Sequence, residues 1–321
     1  DSYIYIAIRR SDGYVGKPVE TATSVFAMDT GAGDTSTTIP NYDSGFPVDF
    51  ALSKKPASTS DWLANGRLIG IKELAPNTSG SEAQDSSYVW DSNVGWGNGA
   101  WQDSTYQSWM WKRHAGMDVV TYKGDGVAGH QIPHSLNKIP EMMWIKKRNA
   151  TGEWIVGHHG VNGGTNPWEY EMLLHATNAQ GDSANKFNDT APISTHFTVG
   201  NSTWVNNDGD DYISMLFASV DGISKVGSFS GSNSDLSVNV GFQPRFLIMK
   251  GYTGSNAGYG WFVFDSLRGF SSGNDSKLHL NSTAAENDEY NTGTFTSTGF
   301  TLTGNTIQNI SGTSFIYYCH A

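Results

Sequence analysis

The sequence predicts an all-β protein of three tandem antiparallel β-sandwich-like modules, and three observations carry that expectation. Eight-residue apolar stretches recur, opening at Tyr3, Tyr106, Tyr212 and Ser314. A spacing of roughly 100 residues marks one structural unit copied three times. The chain is poor in charge (16% DEKR) and rich in aromatics (12%) and glycine (37 residues), a mixture suited to short strands joined by tight turns. Finally, no amphipathic stretch of helical length and period is present.

Taken in order, Tyr3–Arg10 reads as the closing strand of a preceding unit, attached to a degenerate first module over residues 1–117. The second module is expected over 118–225 and the third over 226–321. Each has a proline-opened apolar strand ending in basic residues: Pro47–Lys55, Pro140–Arg148 and Pro244–Lys250. Proline is tolerated there because a strand's first N–H need not join the ladder. A tryptophan follows each of these strands, at Trp62, Trp154 and Trp261. Modules two and three then share Met172–Leu174 with Leu278–Leu280, and Phe197–Val199 with Phe300–Leu302. Module one instead carries Trp90, Trp96 and Trp101 in a Gly- and Asn-rich stretch. About six or seven strands per module suit a small sandwich that buries its own core. The alternative is a six-bladed propeller, at about eight strands per module.

Composition excludes several functions. A net charge of −11, with 20 scattered Lys and Arg, does not suit a nucleic-acid partner. No apolar run approaches the ~18 residues that span a membrane as a helix. The single cysteine, Cys319, lies in an apolar strand and is expected to be a buried thiol.

Five groups of residues merit attention for binding or chemistry. Trp90, Trp96, Trp101 and Tyr106 could stack on sugar rings, and glycines flanking Trp96 suggest a loop tip. Tyr252 and Tyr259 form a lesser candidate of the same kind. Asn207, Asp208, Asp210 and Asp211 alternate oxygen donors around Gly209, a pattern that would suit calcium but lacks the downstream Glu of a twelve-residue calcium loop. Glu169 and Glu171 would share a face if both lie on one strand, as the carboxylate pair of a glycosidase could. His158 and His159, neighbours on a strand, would point to opposite faces and cannot chelate one ion together.

Several segments resemble a repeat found in virion-associated proteins of tailed bacteriophages, particularly marine and cyanobacterial podoviruses. They are Gly124–Gly126, the stretch from His134 to His159, the stretch from Tyr212 and that from Gly241. The third module fits best, with Gly241, Phe242, Pro244, Lys250, Trp261, Asp265, Arg268, Leu278, Leu280 and Asn281 in order. The first keeps Gly45, Phe46 and Pro47 but shows no Leu-x-Leu-Asn element. The resemblance implies a virion protein of a tail fibre, spike or capsid appendage, without enzymatic activity or cofactor. In such a particle protein the loops would contact a host-surface glycan or neighbouring virion proteins, and family analogy favours a homotrimer; no insertion into a membrane is expected, given the lack of a spanning apolar run. A polysaccharide depolymerase using Glu169 and Glu171, or a purely architectural role, are the alternatives.

Overall fold

The computed structural model describes residues 20–32, 40–97, 103–271, 273, 275–288 and 290–321. The opening segment Tyr3–Arg10 lies outside them. The strands fall into three matching sets. The first comprises β1 (Phe26–Thr30), β2 (Tyr42–Asp43), β3 (Phe50–Lys54), β4 (Leu63–Gly66), β5 (Lys72–Leu74), β6 (Ala83–Gln84), β7 (Gly95–Trp96) and β8 (Gln107–Trp111). The second comprises β9 (Met117–Lys123), β10 (His130–Pro133), β11 (Met142–Lys147), β12 (Trp154–His158), β13 (Tyr170–Leu173), β14 (Gly181–Asp182), β15 (His196–Val199) and β16 (Asp211–Phe217). The third comprises β17 (Ser224–Ser230), β18 (Leu236–Asn239), β19 (Phe246–Thr253), β20 (Phe262–Asp265), β21 (Leu278–His279), β22 (Gly293–Thr296), β23 (Gly299–Leu302) and β24 (Ser314–His320).

Each set forms a large antiparallel sheet and a small one. The large sheets run β1-β8-β3-β4-β5-β6, β9-β16-β11-β12-β13-β14 and β17-β24-β19-β20-β21. The recurring apolar stretch closes each module and always inserts between the first and third strands. A central strand covered on both faces reads as a continuous apolar run, which is why this segment carried the repeat signal. The small sheets are β2-β7, β10-β15 and β18-β23-β22. In module three the sixth strand leaves the large sheet for the small one. Among the described residues no sheet closes or curls, so the propeller alternative is set aside despite the strand count; the unequal sheets pack face to face in sandwich-like pairs.

Strand alternation divides the core. Phe50, Leu52, Met142, Trp144, Phe246 and Ile248 face one interior common to all three modules. Their neighbours face outward, into a separate core beneath each small sheet: Ala51 in module one, Met143 and Ile145 in module two, Leu247 and Met249 in module three. The expectation that every module buries its own core therefore holds only for the outer half. The inner faces are buried against one another.

The same bonds recur at all three junctions. Trp62 Nε1 donates to His279 O (2.9 Å), Trp154 Nε1 to Ala75 O (3.0 Å) and Trp261 Nε1 to Leu173 O (2.9 Å). These acceptors hold matching positions, each directly after the residue paired with Ala64, Val156 or Val263. Lys54, Lys146 and Lys250 are completely buried. Each reaches a carbonyl of the preceding module, at Thr283 (3.2 Å), Ser79 (3.4 Å) and Thr177 (3.0 Å). Backbone N–H groups of Glu82, Gln180 and Glu286 complete the pattern by donating to Arg148 O, Tyr252 O and Pro56 O. Module one meets two, two meets three, and three meets one: the arrangement is cyclic and pseudo-threefold.

Module one also retains the element that its sequence conceals. Asn77 Oδ1 accepts Trp62 N at 2.9 Å, just as Asn281 Oδ1 accepts Trp261 N at 2.8 Å. Leu74-Ala75-Pro76-Asn77 is thus the counterpart of Leu278-His279-Leu280-Asn281. Ala75 and Pro76 conceal it because the conserved duty of that position is its backbone carbonyl.

Candidate functional site

The structure places the predicted aromatic residues in three different environments. Trp90 and Trp96 lie in the outer core of module one, their rings stacked at 4.9 Å and 18°. Both indole N–H groups are used internally, Trp96 donating to Ser108 Oγ (3.0 Å) and Trp90 to Gly70 O (2.9 Å). Covered faces and a satisfied N–H leave nothing for a sugar ring, so these two are removed from the candidate site. The glycines flanking Trp96 have another purpose: a Cβ at Gly95 would lie 2.0 Å from Tyr42 O. They permit the close β2–β7 pairing rather than a loop tip. Trp101 lies outside the described residues. Tyr106 is half-buried against the same core, with the Lys55 ammonium 5.8 Å from its ring centroid. Tyr252 is buried in the shared interior, whereas Tyr259 is 44% exposed. The described members do not form one binding surface.

The acidic turn does not fit a calcium site. Asp210 Oδ2 lies 2.6 Å from Lys147 Nζ and accepts from Asn207 Nδ2 at 2.8 Å, while its Oδ1 accepts from Asn149 Nδ2 at 3.1 Å. These bonds, the Lys147 one foremost, hold its carboxyl below the usual range. Asp211 pairs with Lys123 at 3.3 Å, Asp208 is exposed, and Gly209 turns the chain at φ +78°. Oxygen atoms already engaged by lysine and amides are poor cation ligands. Among the described residues, no cluster of three or more His, Cys, Asp or Glu is placed to hold a metal.

Glu169 and Glu171 are separated by secondary structure. Glu169 closes a single 3-10 turn, Pro167–Glu169, and Glu171 belongs to β13. The expected pairing on one strand face therefore does not form. Glu171 Oε2 lies 3.5 Å from Lys186 Nζ, burial pushes its carboxyl up, and it lines a cavity of about 360 Å³ with Asn178 and Gln180.

The two adjacent histidines do diverge. His158 accepts from Gly160 N (2.9 Å) on Nδ1, which leaves Nε2 to donate to Tyr317 O (3.3 Å) across the second junction. Burial brings this ring down to about 3, so it is neutral at neutral pH. His159 faces a cavity of about 570 Å³ with Glu141, Trp168 and Pro192. Cys319 is a buried free thiol, pushed well up by desolvation.

The buried lysines are the functional residues that sequence reasoning missed. Their signal was present as the basic end of each proline-opened strand, but strand-end lysines ordinarily reach solvent. Only the neighbouring module shows that these do not.

Fold and junctions together define an all-β protein of three sandwich-like modules, joined cyclically around a shared interior. Residues 26–321 match a domain of unknown function, DUF7483, and the chain belongs to that family. No curated protein matches it, and neither does any solved structure.

Proposed function

We propose that the chain is a non-enzymatic building block of a bacteriophage particle, within a tail fibre, spike or capsid appendage. The observation that supports this most is the set of bonds repeated at every junction. They spend buried tryptophan N–H groups and lysine ammonium groups on backbone carbonyls, giving a stiff body rather than a reactive cleft. The phage context comes from the sequence resemblance. Other virion proteins and a bacterial surface glycan are the partners in this reading, and the particle is its location. Mass spectrometry of purified particles of the encoding phage should detect the chain as a stoichiometric component. Its absence from particles, with abundant protein in the infected-cell lysate, would overturn the reading. A homotrimer is a separate proposal, checked by light scattering for three times 34.8 kDa.

A depolymerase keeps one supporting observation, the Glu171 carboxyl raised by burial beside a cavity. Glycoside hydrolysis needs such a protonated acid. Release of reducing ends from host polysaccharide that stops in Glu171→Gln would favour it over the binding role.

A further inference from the structure

We propose that a groove on the third module, walled by Lys277, Tyr290, Asn291, Asn305, Thr306 and Gln308, binds an uncharged saccharide. This deepens the glycan-contact part of the proposed function, while the argument for the site rests on the groove itself. Its volume is about 300 Å³, within the range of small-ligand pockets.

Tyr290 is 61% exposed. The Lys277 ammonium lies 5.0 Å from its ring centroid and orients the ring by a cation–π contact. The remaining phenol surface offers an apolar platform for the C–H face of a sugar. Gln308 is only 1% exposed, and its Nε2 has no hydrogen-bond partner among the described residues. Buried side-chain donors are nearly always satisfied; Nε2 is sealed from solvent, and a turn of the terminal amide into the groove would bring it to a ligand hydroxyl as acceptor. Thr306 Oγ1 already donates to Thr303 O (2.9 Å), so its lone pairs are offered to a ligand donor. Asn291 and Asn305 contribute further side-chain amides. Among the described residues no carboxylate lines the groove, so none of them offers a cationic ligand a counter-charge there. The Lys277 charge is directed at the Tyr290 ring and lies in the field of Asp275, so an anion gains little.

The corresponding positions in the other modules are occupied differently. Glu73, Glu171 and Lys277 each immediately precede the paired residue Leu74, Met172 or Leu278. Glu73 accepts from the Tyr88 hydroxyl, and Tyr88 is 4% exposed. Glu171 pairs with Lys186. In module three an aromatic partner remains at the surface. There the sixth strand, β22, has moved to the small sheet, so among the described residues β21 has no strand beyond it in the large sheet.

The test is isothermal titration of the full chain with maltose, cellobiose, lactose and chitobiose. Galacturonic acid and glucosamine serve as charged comparators. At least one neutral disaccharide should bind with Kd on the order of 1 mM, with little dependence on salt. Tyr290→Ala should weaken binding about tenfold or more, and Tyr290→Phe should preserve it. Gln308→Met should weaken binding yet raise Tm, because it removes an unsatisfied buried donor; a merely structural glutamine would not move the two in opposite directions. No heat with any neutral sugar at 10 mM, unchanged binding in Tyr290→Ala, or a salt-sensitive preference for a charged sugar would overturn the site. Any of these outcomes leaves particle composition, and hence the virion reading, to its own measurement.

Discussion

Lys54, Lys146 and Lys250 show how one residue type can bind a repeat protein together. Each amine is lost from water and bonded to backbone carbonyls, and burial lowers all three to about 8. An unfolded lysine keeps its proton to about pH 10.4. Between those limits the unfolded chain binds more protons, so stability increases with pH. Stability should therefore grow from pH 8 to pH 10 by on the order of 1–3 kcal/mol per lysine, seen in thermal melts as a rising Tm. Above about pH 10 the trend should reverse. Tyr42, Tyr88 and Tyr318, pushed well up by burial, then keep protons that the unfolded chain releases. On the acid side, His158 and His279 are lowered to about 3 and about 4. Their contribution is present above the unfolded histidine value near 6.5 and is lost as pH falls below it. A flat or falling Tm between pH 8 and pH 10 would contradict the assigned state of the lysines. Lys146→Met should flatten that rise, since it removes one titrating amine.

At the scale of the element, the junction tryptophans test whether the three modules are physically equivalent. Trp154→Phe leaves the Ala75 carbonyl without its donor, and an unpaired buried polar group costs about 1–3 kcal/mol. Trp62→Phe and Trp261→Phe should cost similar amounts, measured by urea denaturation. One of the three costing nothing would break the pseudo-threefold account. Legibility varied between elements for a clear reason. The closing strands β8, β16 and β24 are central and buried on both faces, so their apolar runs announced themselves. The two-residue strands β2, β6, β7, β14 and β21 are too short to show any period, which explains why the expected strand count was low. The Leu74–Asn77 element was hidden because its role depends on a carbonyl, which every side chain leaves intact. Trp90 and Trp96 misled for the opposite reason: glycine-flanked indoles look the same at a loop tip and in a tight strand pair until the opposing strand is known.

For the whole molecule, the shared interior ties the modules into one folding problem. Phe246, Ile248, Trp261 and Val263 of module three lie on a face covered by the other two modules. An excised third module, residues 224–321, would expose that face to water. It should show strand-type far-UV circular dichroism but weak near-UV signal and strong binding of a hydrophobic dye, the signature of lost packing. The full chain should instead unfold in one cooperative transition. A soluble, sharply melting excised module would show that the outer core suffices by itself. The same closure bears on oligomer order, since threefold symmetry is already supplied within one chain.

The sequence by itself determined the all-β class, the three-fold repetition and the identity of the central strands. Those properties are written in local alternation and spacing, which any window of the chain records. Only the tertiary structure decided that the large sheets turn inward onto a common core, that strand-end lysines become buried staples, and that the tryptophans of module one are core while Tyr290 is surface. Each of these depends on which distant segment covers a given face, and the burial of a side chain is a property of that neighbour rather than of the residue.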